Sequence, residues 1–395
     1  MNKALALTAL ISLASFASAK DITLVWSGAV TGPTSDAGSS YGKGVEDYCK
    51  YANSEKMLAG VTLKCVIRDD QYNNANTQSN FEEFVGNEQI PVFLGYSTGG
   101  MLQIKGTVQE TKVPTLTASL HIGIIDPPNN QYMFLPVASY SENIVSLLEY
   151  VAKKERGAKV ALIVNPSPFG RDPVVDARKA AERLGLKITD VQEVGGNNLD
   201  NTALLKRLEA QGAKYVINQN TAGPVANILK DAKRLGLLGK MQFMGAHYAG
   251  GEDLTKLAGD AAANFIWVTS YYMYDEGDKP GIQLVKKIGA QFNQKPDVIR
   301  SVNYTSGMLT ASIAIEAMKR SGSTINNVTV YKALTSMVGS KKFDPGFSVG
   351  PVTFSAKDHV GAETMRLLQA DATGNFKAIT GPMQSQMFKL IHPMK

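Results

Sequence analysis

The stretch "PVFLGYSTGGML", residues 91–102, decides how the chain is read. Gly95-Tyr96-Ser97-Thr98-Gly99 fits G-x-S-x-G, the nucleophile elbow of serine esterases, in which a strand turns sharply into a helix. The apolar run Val92, Phe93, Leu94 leads into it, and a helix is expected from Met101. Ser97 is therefore a nucleophile or a hydroxyl that only holds something. Five-residue patterns match by chance, so the flanking sequence has to decide.

On both sides, strand-like apolar runs alternate with helix-length amphipathic segments. Ile22–Trp26, Thr62–Ile67, Val92–Leu94 and Thr115–Thr117 read as strands, separated by helices near 42–54, 77–87 and 101–111. A second series has strands at Val160–Val164, Ile188–Glu193, Tyr215–Asn218 and Gln242–Gly245, with helices at 173–184, 202–211 and 224–235 between them. Helices are also expected at 281–292 and 304–321. Such alternation means parallel sheets covered by helices, and two series predict two α/β lobes. Three extended runs, "QYMFLPVASYSEN" (131–143), "NFIWVTSYYMYDE" (264–276) and "FSVGPVTFSAKD" (347–358), are the candidates for crossings between lobes. The expected division is 20–137 with 270–347 in lobe one, and 138–269 with 348–395 in lobe two.

In open parallel sheets ligands bind beyond the carboxyl ends of the strands. Those ends carry Ser27-Gly28, Asp69-Asp70-Gln71, Ser97-Thr98 and Ser119-Leu120-His121 in the first series. The second series offers Asn165, Asn218 to Thr221 and Ala246-His247-Tyr248. Facing polar strand ends describe a cleft. An esterase of the α/β-hydrolase class instead needs one continuous sheet, more strands before its elbow and an oxyanion loop upstream. No histidine precedes Ser97, since the four are His121, His247, His359 and His392. The esterase reading stays as the rival. The favoured one makes Ser97 and Thr98 hydroxyls at a helix N-terminus, where an anion is readily held.

Other motifs fall away. "GSSYGKG" (38–44) is too short for a P-loop and lacks the Ser or Thr after Lys43, while "RDDQYNN" (68–74) lacks the Gly and Glu of an EF-hand. Turn and cap chemistry is the expected use of Asp69 and Asp70. No HExxH, CxxC or G-x-G-x-x-G occurs, so neither a metal nor a dinucleotide is indicated, and no cofactor is expected. The net charge of +6 comes without a basic run, and no nucleic-acid partner is expected. The chain opens "MNKALALTALISLASFASAKD": a basic start, an apolar stretch and an A-x-A site at 17–19 read as a secretory signal peptide cleaved after Ala19. In an oxidising compartment Cys49 and Cys65 invite a disulfide between a helix face and a strand face, with two buried free thiols as the alternative.

Several segments, in order, resemble the bacterial periplasmic substrate-binding proteins of branched-chain amino acid-type ABC importers. They are "SGAVTGPTSDAGSSYGKGVEDYCKYAN", "VFLGYSTGG" followed by "VPTLTAS", "VALIVNPSPFGRDPVVDARKAAERLG", "ILKDAKRLGLLGKMQFMG" and "LAGDAAANFIWV". The resemblance covers essentially the whole chain after the leader. It implies two Rossmann-like lobes joined by three hinge crossovers, a small-molecule ligand, a permease in the inner membrane, a periplasmic location and no catalysis; a monomer is expected. A sensor subunit that presents ligand to a membrane receptor would share all of this fold. By resemblance, Ser97 meets the ligand carboxylate with Thr98 beside it, and Ser119, Leu120 and His121 form the next loop. Phe169, Asn220, His247 and Tyr248 contact the remainder from lobe two. His247 falls where amino-acid binders commonly carry an acid for the ligand's ammonium, which favours an organic acid, amide or aromatic carboxylate over an α-amino acid. The Cys49 and Cys65 pair also matches a disulfide of some relatives.

Overall fold

The computed structural model describes residues 20–87, 90–125 and 130–392, so the expected leader and its cleavage site lie outside the described residues. The first series of strands is β1 (Lys20–Gly28), β2 (Val61–Asp69), β3 (Phe93–Gly95), β4 (Thr115–Thr117) and β5 (Met133–Val137). The second is β6 (Lys159–Val164), β7 (Lys187–Glu193), β8 (Tyr215–Gln219), β9 (Gln242–Gly245) and β10 (Ile266–Thr269). Three late strands follow: β11 (Val360–Ala362), β12 (Arg366–Ala370) and β13 (Phe376–Ala378). They form two sheets, ordered β11-β5-β4-β3-β1-β2 and β13-β12-β10-β9-β8-β6-β7. Every pairing in the first sheet is parallel. In the second only β12 runs against its neighbours. Inner strands such as β5 and β3 are buried along their whole length, as continuous apolar runs covered on both faces should be.

The helices that matter for the site are α1 (Ser35–Ser54), α2 (Asn74–Asn87), α3 (Thr98–Thr111), α4 (Tyr140–Lys154), α5 (Pro168–Arg171) and α6 (Val174–Arg183). They are followed by α7 (Thr202–Ala210), α8 (Ala222–Arg234), α9 (Glu252–Ala258), α10 (Pro280–Gln291), α11 (Pro296–Arg300) and α12 (Val302–Arg320). Helices α1 and α12 pack closely enough to require glycine on both. A Cβ on Gly44 would meet the Tyr304 carbonyl oxygen at 2.1 Å, and one on Gly307 would meet the Tyr41 carbonyl oxygen at 2.0 Å. Helix α1 also lies on β2, and Cys49 and Cys65 are disulfide-bonded there with their Cα atoms 5.9 Å apart.

Two expectations need correction. The run 131–143 was expected to be extended throughout, yet α4 begins at Tyr140. Ser139 accepts the Glu142 N–H at 3.2 Å, and Glu142 in turn accepts the Ser139 N–H at 2.7 Å. This S-x-x-E capping box is a sequence signal for a helix start. Residues 348–362 were expected in lobe two, but β11 pairs in parallel with β5, Val352 bridges Phe343, and Phe354 packs edge-on against Phe134. The third crossing therefore falls between β11 and β12. An apolar extended run does not show which sheet the chain joins or where its strand begins.

Candidate functional site

The carboxyl ends of the two sheets face each other across a cleft containing about 250 Å³ of empty space, part of it open to solvent. The first-sheet side of its wall comes from Thr34, Tyr72, Tyr96, Ser97, Thr98 and Ala118, and the other side from Tyr140, Phe169, Thr221 and Tyr248. None of these residues is acidic or basic. The wall is built of hydroxyls, aromatic rings and backbone.

Ser97 lies just after β3 and caps α3: its hydroxyl oxygen accepts the Gly100 N–H at 3.1 Å. No imidazole hydrogen-bonds Ser97 among the described residues. Next to it the Thr98 and Ser119 hydroxyls lie 2.7 Å apart, and the Tyr140 phenol reaches both. Ser119 is fixed in turn by donating its N–H to Thr117 Oγ1 at 2.9 Å. The Tyr96 phenol donates to the Thr34 carbonyl at 3.2 Å and rests its edge on Trp26. On the opposite side Tyr140, Phe169 and Tyr248 meet edge to face, with ring centroids 5.1 Å and 6.0 Å apart for successive pairs. The Tyr248 phenol crosses the cleft and donates to the Ala118 carbonyl at 2.7 Å. At the rim, Gly223 at the start of α8 donates its N–H to Asp36 at 2.9 Å. The lobes are therefore closed on one another.

Of the residues expected to bind ligand, Ser97, Thr98, Phe169 and Tyr248 line the cavity. Ser119 stands one hydroxyl behind the wall, and Leu120 is buried with its carbonyl accepting the Tyr140 N–H at 2.9 Å. Asn220 is used internally: it accepts from Asn165 at 3.1 Å and donates to the Val194 carbonyl at 2.8 Å, leaving Thr221 on the wall. His121 reaches the other lobe instead, with Nδ1 3.0 Å from an Asp172 carboxyl oxygen. His247 is not among the lining residues. Its ring lies behind Tyr248, 4.6 Å between centroids, and stacks on Tyr271 at 4.9 Å. Burial drives its pKa down to about 3, so it is a neutral aromatic filler. The expectation that His247 lines the cleft is corrected accordingly: its neighbour Tyr248 does, and His247 does not.

Asp69 and Asp70 do the turn and cap work expected of them. Asp69 accepts the N–H groups of Val30, Thr31 and Gln71, and Asp70 accepts from Tyr72 and Thr77. No three His, Cys, Asp or Glu side chains converge as metal ligands would among the described residues. The sequence reading missed Thr34, Tyr72, Tyr96, Ala118 and Tyr140, and offered Thr221 only as a strand-end residue. Tyr96 lay inside the quoted motif, and Ala118 adjoins a residue that was named. Tyr140 could have been found from the capping box that starts its helix.

The periplasmic binding protein family matches this chain over residues 21–375. Among solved structures, that of a branched chain amino acid ABC transporter from Thermus thermophilus with bound valine is 57% identical, has a TM-score of 0.92, and is covered over 99% of its length by 95% of this chain. The leucine-, isoleucine-, valine-, threonine- and alanine-binding protein of Pseudomonas aeruginosa is 22% identical over 268 residues, 67% of this chain and 71% of that protein. A solute-binding protein of an ABC transporter from Rhodopseudomonas palustris, in complex with p-hydroxybenzoic acid, is 19% identical, with a TM-score of 0.78 over 93% of this chain and 98% of that one. At that identity the likeness is one of fold.

Proposed function

This chain belongs to the periplasmic binding protein family, and we propose that it captures valine or a similar branched-chain amino acid between its lobes and delivers it to an ABC importer. The observation that carries this reading is the uncharged wall of the cleft between the closed lobes, in a chain 57% identical to a valine-bound structure. A zwitterion has no net charge, so a neutral wall suits it. Its carboxylate takes the Ser97 and Thr98 hydroxyls at the N-terminus of α3. Its ammonium takes the Ala118 carbonyl and the faces of the surrounding tyrosines, where a cation is attracted to the ring without a counter-ion. The branched side chain lies against Phe169 and Tyr140.

The argument against an α-amino acid rested on His247 facing the ammonium, and His247 stands behind Tyr248. Ser97 acts as a ligand hydroxyl in this reading and the protein performs no catalysis. It works in the periplasm as a monomer, exported by the leader at 1–19. The experiment is native mass spectrometry of the protein as purified, then calorimetry with L-valine and exposure to a fluorophosphonate probe. Bound branched-chain amino acid without labelling of Ser97 supports the reading. A retained aromatic or organic acid with no valine binding overturns it in favour of another solute, and labelling lost in Ser97→Ala overturns it in favour of an esterase.

A further inference from the structure

His121 and Asp172 meet from opposite lobes. His121 lies in the loop after β4, Asp172 closes the short helix α5, and their Nδ1 and Oδ1 atoms are 3.0 Å apart with the carboxyl side chain 4% exposed. The same Nδ1 accepts the Gly123 N–H at 2.8 Å. A ring nitrogen that accepts a hydrogen bond carries no hydrogen. With its one lone pair engaged, the neutral ring offers the carboxyl neither a positive charge nor an N–H, and Asp172 Oδ2 is buried without a hydrogen-bond partner. A carboxylate buried this way beside a neutral ring would be uncompensated, so Asp172 is a carboxylic acid when the lobes are together.

We propose that the His121–Asp172 pair is a proton-operated latch: the lobes close on ligand with Asp172 protonated, so that capture is linked to proton uptake. The latch rests on the capture function proposed above. Burial pushes the Asp172 carboxyl up to about 8 and, at the same contact, pushes the His121 imidazole down to about 4. When the lobes part, both groups return to water and move toward their ordinary values of 3.8 and 6.5, with Asp176 still beside Asp172.

The charged surroundings are accounted for. From α3, Lys105 donates to the Gly123 carbonyl at 2.8 Å and its charge further disfavours imidazolium. From α6, Asp176 adds to the upward push on Asp172 while itself holding His392 at 2.9 Å and Lys179 at 3.8 Å. Arg171, next in the chain, is committed to Glu193 on β7 at 2.6 Å. At the other flank of the cleft Glu252 accepts the Tyr274 N–H at 3.2 Å, and Asp253 accepts the Ser301 hydroxyl at 2.6 Å. Burial raises those two acids to about 8 and about 6, so they push the wild-type profile in the same direction.

The sign follows from the proton count. Below about pH 6.5 the open protein carries a proton on His121, and closure moves it to Asp172 with no net exchange at this pair. Above that, up to about pH 8, the proton comes from solvent and closure weakens as pH rises. Asp172→Asn keeps the size and the neutral state of the protonated carboxyl but needs no proton.

The test compares wild type and Asp172→Asn by calorimetry with L-valine, in buffers of different ionisation enthalpy. At pH 7 the wild type should take up about 0.9 proton more per valine than the variant, and the ratio of their Kd values should change about tenfold between pH 6 and pH 7. Glu252 and Asp253 are common to both proteins and cancel in that difference. Equal proton counts with parallel affinity profiles would mean a merely structural contact and overturn the latch. If L-valine binds neither protein, the capture function falls instead, and small-angle scattering of the two ligand-free proteins from pH 5 to pH 8 still reads the latch. Compactness that responds to pH differently in the two supports it, and identical responses overturn it.

Discussion

The Tyr248 phenol donates to the Ala118 carbonyl at 2.7 Å, so one wall of the cavity holds the other across a cleft between residues 130 apart in sequence. Tyr248 belongs to the turn after β9 and Ala118 to the end of β4. The bond exists only with the lobes together. Tyr248→Phe keeps the ring against Phe169 and leaves the buried carbonyl short of a donor. L-valine binding should weaken by about 1–3 kcal/mol, the cost of an unsatisfied buried group. Calorimetry that finds the affinity unchanged would remove this bond from the closing energy.

Ser97→Ala separates two roles of one hydroxyl. Losing the acceptor for Gly100 N–H should cost about 1 kcal/mol of stability, as lost helix caps do. Losing a ligand partner should weaken valine binding by about 1–3 kcal/mol as well. Urea unfolding and calorimetry on the same sample read both. A stability loss with unchanged affinity would leave Ser97 as a cap alone.

The disulfide closes a loop of sequence separation 16 between α1 and β2. Replacing both Cys49 and Cys65 by alanine should lower stability by about 3 kcal/mol, mainly through the freed unfolded chain. The bridge is outside the cavity wall, so valine affinity should not change. A denaturation midpoint equal to that of the wild type would sink the expectation.

Glu142 offers a pH prediction with a definite sign. It is buried in the capping box of α4, and burial raises its pKa from an ordinary 4.5 to about 7. A raised carboxyl is stabilising in its protonated form, so its contribution is complete below about pH 4.5 and is lost as pH rises to about 7. Glu142→Gln keeps an oxygen for the Ser139 N–H and never ionises. The variant should gain on wild type through that window, by up to about 3 kcal/mol, and by no more above it. Unfolding free energies at pH 4, 6 and 8 that keep a constant difference would count against the assignment.

How far the sequence could be read is clearest at three places. The run of Val92 to Leu94 ahead of Ser97 gave a strand end and a helix start, and both are there, because period and capping are local properties. The S-x-x-E at Ser139 was just as local and was passed over in favour of the apolar run before it. Residues 347–358 were legible as extended, but that they make only isolated bridges while β11 just beyond them pairs with β5 depends on partners far away in the chain.

The cavity shows the same boundary. Strand ends placed Ser97, Thr98 and Tyr248 at the cleft, since in parallel sheets the carboxyl end of a strand is set by chain direction, and the family resemblance added Phe169. His247 and Tyr248 are neighbours, and nothing local says which of them faces the ligand; burial against Tyr271 and Trp267 takes one, and the Ala118 carbonyl takes the other. The sequence by itself thus determined two α/β lobes and the strand ends that form a cleft, because these follow from short-range pattern, and it invited the disulfide that the structure shows. Which side chains face the cavity, which sheet a late strand joins, and that His121 meets Asp172 were decided only by tertiary packing, which brings together atoms the chain separates.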